Sequence, residues 1–328
     1  MPAVSVIMVF HRVSPFLSAG VQSVLDQTFR DLELVLVDNG TATGLTLLGE
    51  LGRDPRIRLV SRPENEGIAC GYNQAVAHAR GEFIASIDYD DVALPQRIER
   101  QIEVLRAHPR LGLVSTLAER IDERGVVTGP EFALVSECDQ YVFSAYTAPA
   151  MMPSYTGRRE VFERFPYRTA LSNACDYDFV SRAAEVWPIC GVPEVLMHYR
   201  HHAGQTTNER AKAQILAACA IRLLTARRRA GREEDLAGMV AELGSWLGQP
   251  PPPAEAYARF AGWSLREGFA SLAVYHARKL LSVRRDPAAL WTAGRVLQAA
   301  LRMEPRAAGL LSRLFFTGPL RAHGLRPA

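Results

Sequence analysis

The first 120 residues alternate between short apolar runs and segments whose apolar residues recur every three or four positions. Continuous apolar runs predict buried strands, and the three-to-four spacing predicts helices that pack on them. Regular alternation of the two predicts a mostly parallel sheet, Rossmann-like, with helices on both faces. We predict strands at 4–10, 32–37, 57–61, 82–87 and 111–116, and helices at 15–28, 68–79 and 95–107.

Beyond residue 118 the pattern is mixed and then becomes helical. It predicts a hairpin over 121–127, a helix over 176–184 and a strand over 194–199. After His202 it predicts helices at about 208–230, 233–247, 254–267, 269–284, 286–303 and 305–316. Some of these helices weakly resemble a tetratricopeptide array, but a plain helical bundle explains their spacing better.

A domain boundary is predicted where the strand–helix alternation ends. We assign residues 1–207 to the α/β domain and residues 208–328 to an α-helical C-terminal region. The proline-rich segment 249–253 is a stiff linker within that region.

The composition is that of an ordinary globular protein. The 328 residues are 48% hydrophobic and 22% charged, which excludes a disordered chain, and no apolar run is long enough to cross a membrane. The N-terminus lacks the basic start and cleavage site of a signal peptide. The five cysteines are odd in number and contain no CxxC, which favours a reducing compartment. We therefore expect a cytoplasmic protein.

The net charge of +3 conceals an asymmetry along the chain. Residues 1–204 carry 19 Arg against 26 acidic residues, whereas residues 205–328 carry 19 basic residues against 9 acidic ones. An acidic first part argues against nucleic-acid binding. The basic, amphipathic segment Arg306–Arg321 allows peripheral contact with the anionic inner face of the plasma membrane; packing on the helical region is the alternative.

An acidic cluster, Asp88-Tyr89-Asp90-Asp91, directly follows the predicted strand 82–87, and Asp38 follows the strand 32–37. In parallel sheets ligands bind outside the carboxyl ends of the strands. Three crowded carboxylates repel each other unless a hard divalent cation such as Mg²⁺ or Mn²⁺ binds them, with a diphosphate completing its shell. The alternative for such a cluster is a solvated acidic turn.

Several ordered segments together resemble glycosyltransferase family 2, which has the GT-A fold. The resemblance covers about residues 3–208 and depends on the order and spacing of the segments, since each alone is weak. The segments are VSVIMVFHR (4–12), SVLDQTF (23–29), LELVLVDNGT (32–41), NEGIACGYNQAVAHARGEFIASIDYDD (65–91), ACDYDFVSRA (174–183) and VPEVLMHYRHHAGQTT (192–207).

The resemblance implies a role for each matching residue. Asp88 and Asp90 match the DxD motif, with Asp90 on the metal and Asp88 near the metal and ribose. Asp176 matches the general base of inverting members, and His202 matches a histidine that approaches the diphosphate or the metal. The remaining donor-side positions implied in this way are Val9, Phe10, His11, Asp38, Asn65 and Tyr89.

For some positions near the acidic cluster the resemblance and the sequence allow more than one role. Asp38 would contact the nucleobase or ribose of the donor. Asn65 could contact the donor or cap the helix that follows it. Asp91 would orient the acidic loop or reach the sugar. Asp178, two residues after the implied base, is expected to be a cap or a surface group.

The chain also departs from the family pattern. Many members have Pro-x-Tyr-Asn after the first strand where this chain has Val9-Phe10-His11, so we interpret His11 as replacing an amide near the nucleotide. Cys175 stands where Glu is common before the base.

The resemblance implies an inverting, Mn²⁺- or Mg²⁺-assisted glycosyltransferase. It would move a sugar from a nucleotide-diphosphate-sugar, with UDP as the expected nucleotide, to a saccharide or lipid-linked acceptor in envelope polysaccharide synthesis. One alternative is a non-catalytic relative that binds nucleotide-sugar or acts as a scaffold. Another is a nucleotidyltransferase, which would require a glycine-rich basic phosphate loop that residues 11–20 do not provide.

Overall fold

The structure, a computed structural model, describes residues 1–131, 133, 135–205 and 210–304. The chain forms two compact units, which divide between Glu209 and Arg210. The boundary at 207–208 stays a prediction, because residues 206–209 lie outside those described.

The first unit is built on one sheet that has nine strands in the described residues. The strands are β1 (Val4–Phe10), β2 (Leu32–Asn39), β3 (Ile57–Arg62), β4 (Phe83–Ser86), β5 (Val92–Ala93), β6 (Leu113–Ile121), β7 (Val127–Pro130), β8 (Thr156–Arg158) and β9 (Ile189–Arg200). Their order is β3-β2-β1-β4-β8-β6-β9-β5, and β7 pairs with β6 in the predicted hairpin.

The pairing directions confirm a mostly parallel core. Strands β3, β2, β1 and β4 are parallel neighbours, and β6 is parallel to β9. The short strands β8 and β5 are antiparallel to their neighbours. The carboxyl ends of β1, β2 and β4 therefore lie along one edge of the sheet, where the acidic cluster begins.

Helices cover both faces of this sheet. They are α1 (Leu17–Leu25), α2 (Ile68–His78), α3 (Arg97–Ala107), α4 (Glu137–Phe143), α5 (Arg159–Arg164) and α6 (Cys175–Ala183). Strand β1 is buried throughout, and its alternate residues enter two different hydrophobic clusters. Met8 packs with residues of α1 and α3, whereas Ile7 packs with residues of α2, α5 and α6. Burial of both faces explains why these strands are continuously apolar.

The second unit is helical in its described part, as predicted. Its helices are α7 (Ala211–Arg229), α8 (Leu236–Leu243), α9 (Pro253–Arg266), α10 (Ala270–Val283) and α11 (Pro287–Met303). Pro253 opens α9 in the first-turn position that proline favours, and Asp286 caps α11 by accepting a bond from the Ala289 amide at 2.9 Å. The predicted helix at 305–316 and the segment Arg306–Arg321 lie outside the described residues. No described helix meets the length and hydropathy needed to span a bilayer.

Candidate active site

The acidic cluster forms a turn directly after β4, with its three carboxylates aimed at different partners. Asp88 accepts a hydrogen bond from the Tyr72 hydroxyl of α2. Asp90 lies 2.8 Å from Nε2 of His202, and Asp91 accepts the backbone N–H of Arg200 at 2.9 Å. The turn is thus held between a helix on one side and the end of β9 on the other.

The pairing of Asp90 with His202 joins two residues that are 112 positions apart in sequence. Their side chains are 13% and 9% exposed, so the pair is largely withdrawn from water. Strand β9 places His202 here because it ends at Arg200, two residues earlier, beside β5 and the acidic turn. Of the three residues implied at the metal, Asp88, Asp90 and His202, the last two are therefore in direct contact.

Burial and like charge perturb the carboxylates of this turn. Burial raises the pKa of Asp88 to about 7, and the charges of Asp90 and Asp176 add to the increase. Burial also raises the pKa of Asp91 well above its ordinary value. Asp91 is fully buried, and among the described residues its Oδ2 has no hydrogen-bond partner. Asp91 therefore anchors the turn and does not reach into open space.

Arg97 supplies positive charge beneath the acidic turn. It is 1% exposed, and it donates from Nη2 to the carbonyl of Ser86 at 2.7 Å and from Nε to Gln101 at 3.2 Å. Burial lowers its pKa to about 10, while the charges of Asp91 and Asp88 act in the opposite direction. A buried arginine with acidic neighbours offsets part of their mutual repulsion.

Helix α1 packs its backbone directly against the acidic turn. A Cβ at Gly20 would lie 2.6 Å from the carbonyl oxygen of Tyr89 and 3.2 Å from that of Asp91. Real side-chain carbons do not approach so closely, so glycine is required at this contact. Tyr89 itself is 7% exposed and belongs to the core, with the His11 ring edge-on to it at 6.1 Å.

Asp176 stands in the first turn of α6, close enough to the acidic turn for its charge to raise the pKa of Asp88. Burial raises the pKa of Asp176 above its ordinary value, although hydrogen bonds from backbone amides at the start of α6 oppose this increase. A half-buried carboxylate with a raised pKa is suited to accept a proton.

Asp178 is neither a cap nor a surface group, and that expectation was wrong. It is fully buried and forms ion pairs with Arg182 at 2.7 Å and Arg168 at 3.4 Å. The spacing of Asp178 and Arg182 by four residues in a helix was the signal for this pair.

Three other positions implied on the donor side have buried side chains. Val9 is 2% exposed and Phe10 is fully buried, so the structure does not bring their side chains to an open surface. Asp38 is also fully buried, and it accepts hydrogen bonds from Thr41 and from the amide of Gly44 at 2.9 Å. Its carboxylate thus shapes the loop that follows β2.

Asn65 organises the turn between β3 and α2. Its side-chain oxygen accepts the amide of Gly67 at 2.9 Å and the side-chain amide of Asn39 at 3.1 Å. The residue before the first turn of α2 is Gly67, without a side-chain cap, so Asn65 braces the loop and does not cap the helix. A Cβ at Gly40 would lie 2.4 Å from the Asn65 amide, so the loops after β2 and β3 touch at this glycine.

The interpretation of His11 as the replacement for an amide was wrong by one position. Counted from Val9, the pattern Pro-x-Tyr-Asn places tyrosine at His11 and asparagine at Arg12. Arg12 donates to His11 at 3.1 Å and to the carbonyl of Gly204 at 3.1 Å. The substituted residue therefore links the loop after β1 to the loop that carries His202.

The donor atoms of the turn fit a divalent cation only if a second molecule supplies more ligands. In the described part of the chain no three His, Cys, Asp or Glu side chains are grouped as a metal cluster. Asp90 and His202 offer two ligands, and Mg²⁺-type sites commonly take one or two carboxylates together with substrate phosphates. The residues present fit a cation that is shared with a diphosphate.

Comparisons with known proteins identify relatives of this chain. The sequence profile of glycosyl transferase family 2 matches residues 5–165. An uncharacterized glycosyltransferase of Methanocaldococcus jannaschii is 28% identical over 207 residues, which span 61% of this chain and 71% of that protein. Chondroitin synthase of Escherichia coli is 28% identical over 223 residues, 65% of this chain and only 31% of the synthase.

Solved structures share the fold at low sequence identity. The S. aureus protein TarS, residues 1–349 in complex with UDP-GlcNAc, aligns with a TM-score of 0.63 and 15% identity over 91% of each chain. The mannosyltransferase PcManGT of Pyrobaculum calidifontis, in complex with GDP-Man and Mn²⁺, aligns with a TM-score of 0.51 and 19% identity over 97% of this chain and 88% of that one. The family profile, these relatives and the sheet topology agree: the chain is a glycosyltransferase with a GT-A fold, and its residues 5–165 form a glycosyltransferase family 2 domain.

Proposed function

We propose that this glycosyltransferase transfers a sugar, with inversion, from a nucleotide-diphosphate-sugar to a saccharide or lipid-linked acceptor, with a divalent cation at Asp90 and His202. The observation that carries the proposal is the 2.8 Å approach of His202 to Asp90, with Asp176 within electrostatic reach of Asp88. Two distant segments thus complete one acidic site at the carboxyl ends of β1, β2 and β4.

The donor would lie along this edge of the sheet. Asp90 and His202 would hold the cation, which supplies positive charge to the leaving diphosphate. Asp88, oriented by the Tyr72 hydroxyl, would lie next to them toward the ribose. Asp38 would act by fixing the wall of the base pocket, because its carboxylate is engaged by its own loop.

Asp176 would serve as the general base. It would take the proton of the acceptor hydroxyl while that oxygen forms a bond to the anomeric carbon and the bond from this carbon to the diphosphate breaks. Attack from the face opposite the leaving group inverts the anomeric configuration. The raised pKa of Asp176 supports this role, because a base works best when its pKa approaches the working pH.

The nature of donor and cation is proposed from the solved relatives. TarS was solved with UDP-GlcNAc and PcManGT with GDP-Man and Mn²⁺, which supports a nucleotide-diphosphate-sugar and Mn²⁺ here, with UDP as the first nucleotide to test. The similarity to chondroitin synthase supports a saccharide acceptor.

A donor-hydrolysis and transfer assay with a panel of nucleotide-sugars tests the proposal. We expect turnover that requires Mn²⁺ or Mg²⁺ and that is lost in EDTA, in Asp90→Ala and in His202→Ala. The matched control is His201→Ala, because His201 is adjacent but half-exposed and lies 3.7 Å from Glu131. Asp176→Asn should retain donor binding and lose turnover by about 10²–10⁴-fold.

Three results would contradict the proposal. Full activity of Asp90→Ala, or of the wild type in EDTA, would exclude a catalytic role for a divalent cation at this site. An equal loss of turnover in His201→Ala and His202→Ala would show that the loss is not specific to His202, the histidine that contacts Asp90. Retention of the anomeric configuration in the product would exclude single displacement with Asp176 as the base.

A further inference from the structure

Arg200 is the last residue of β9, and its buried side chain contacts the acidic turn. It is 5% exposed. Its Nε donates to the backbone carbonyl of Asp90 at 2.8 Å, and its own N–H donates to the carboxylate of Asp91 at 2.9 Å. Its Nη1 donates to the carbonyl of Asp122 at 3.1 Å, in the hairpin between β6 and β7. One residue therefore fixes the turn at two points and ties it to a third element.

A stack of three side chains extends the contact from Arg200 to His202. The guanidinium lies 4.7 Å from the centroid of the Phe16 ring, and that ring lies 4.9 Å from the His202 ring at an angle of 52°. His202 in turn lies 2.8 Å from Asp90. Arg200 thus touches Asp90 from one side and reaches His202 through Phe16 from the other.

The chain after Arg200 is held in the same way. Gln205, which is 7% exposed, donates to the carbonyl of Arg200, and its side-chain oxygen accepts the amide of His202 at 3.4 Å. The turn from Arg200 to Gln205 is therefore closed on itself, with the imidazole of His202 directed at Asp90.

We propose that Arg200 is a positioning residue, which holds the Asp90 carboxylate and the His202 imidazole at the separation that a shared cation requires. The inference rests on the proposed function, since it assumes a cation at that pair. A planar guanidinium can donate in several directions and stack on a ring at once, whereas lysine provides a compact charge without the fork. Residues that orient metal ligands typically change metal affinity by about 10–100-fold when they are replaced.

Arg158 offers a matched control in the same unit. It is also a mostly buried arginine that donates to two backbone carbonyls, those of Leu111 at 3.0 Å and Leu105 at 2.8 Å, and it lies 5.6 Å from the centroid of Phe83. Phe83 begins β4, so these contacts lie at the end of that strand opposite the acidic turn. Replacement of either arginine removes similar contacts, but only one of them reaches Asp90.

The experiment compares Arg200→Lys and Arg158→Lys in the full chain, with Phe16→Leu as a variant that breaks the stack without a contact to Asp90. Mn²⁺ affinity is measured with UDP present by electron paramagnetic resonance of free Mn²⁺, and the melting temperature is measured in parallel. We expect both arginine variants to lower the melting temperature. Only Arg200→Lys should weaken Mn²⁺ binding by about tenfold or more, and Phe16→Leu should weaken it to a smaller extent.

The outcomes separate this inference from the proposed function. Wild-type Mn²⁺ affinity in both Arg200→Lys and Phe16→Leu overturns the positioning role and leaves the metal site standing. An equal loss of affinity in Arg158→Lys also overturns it, because the effect would then be general destabilisation. Absence of Mn²⁺ binding by the wild type with UDP overturns the metal site and the inference together. If Arg200→Lys does not fold, the Mn²⁺ affinity of Phe16→Leu decides: weaker binding than in the wild type supports the positioning role, and wild-type affinity overturns it.

Discussion

Replacement of Asp88 by asparagine should stabilise the metal-free protein while it abolishes activity. Asp88 is a carboxylate beside Asp90 whose pKa burial raises to about 7 from an ordinary value of 3.8. Asparagine keeps the shape and an oxygen that can accept the Tyr72 hydroxyl, but it carries no charge. Asp88→Asn therefore removes the cost of ionising a buried group next to another acid.

The size and the pH dependence of the effect follow from linkage. Below about pH 4 the carboxyl is protonated in the folded and unfolded states, so the substitution changes little. Between pH 4 and 7 the unfolded state is ionised and the folded state is not, which lowers the wild-type free energy of unfolding by about 1.4 kcal/mol per pH unit. Above pH 7 the difference is constant, at roughly 4 kcal/mol in favour of Asp88→Asn.

Urea unfolding in EDTA at pH 5, 6, 7 and 8 measures this difference. The control is Asp178→Asn, which should lower the free energy of unfolding by about 3–5 kcal/mol across the same range, because it leaves Arg182 and Arg168 without their buried partner. The reasoning is refuted if Asp88→Asn lowers the free energy of unfolding at pH 8. It is also refuted if the gain is the same at pH 5 and pH 8.

Two further predictions concern the base and the backbone contact at the acidic turn. Because burial raises the pKa of Asp176 and a base must be ionised, kcat/KM should fall as the pH decreases through a value above 3.8. Asp176→Glu should keep this fall of kcat/KM at low pH. A wild-type pH–rate profile without the fall would contradict the assignment of Asp176 as the general base. Gly20→Ala should cost about 1–3 kcal/mol of stability and weaken Mn²⁺ binding, because its Cβ would meet the Tyr89 carbonyl at 2.6 Å. Gly262→Ala within α9, where nothing lies within 4 Å, should instead be neutral or stabilise by up to about 1 kcal/mol. Thermal melts of both variants measure the two effects, and a lower melting temperature for Gly262→Ala than for Gly20→Ala would contradict this reasoning.

The sheet was predictable wherever burial on both faces made a strand continuously apolar. The strands over 4–10 and 32–37 were predicted to within two residues, because both of their faces are buried. The strand over 57–61 lies at the edge of the sheet and is only partly buried, and its bounds were predicted to within one residue. Strand β9 begins at Ile189, five residues before the predicted start. Gly191 and Pro193 interrupt the strand pattern there, and the pairing with β6 absorbs the irregularity through register shifts.

The candidate site was predictable as a set of acids and a histidine, but not as a network. Motif order identified Asp90 and His202, and the fold places them in contact. Nothing in the sequence distinguishes Arg97 from the other arginines of the first unit. Arg200 lies within the family-like segment 192–207, but its contacts with the acidic turn arise from burial that the sequence did not predict. Asp178 was misjudged because a charged residue on a helix was assumed to face water.

The separation of 112 residues between Asp90 and His202 has a consequence for synthesis on the ribosome. At about 5–20 residues per second, roughly 6–22 seconds pass between translation of the acidic turn and translation of the histidine. During that interval the nascent chain contains the acidic turn without β9, the strand that carries its histidine partner. The capacity to hold a cation together with a diphosphate would therefore arise late, when β9 enters the sheet. Binding of the cation would then require that the first unit has been completed.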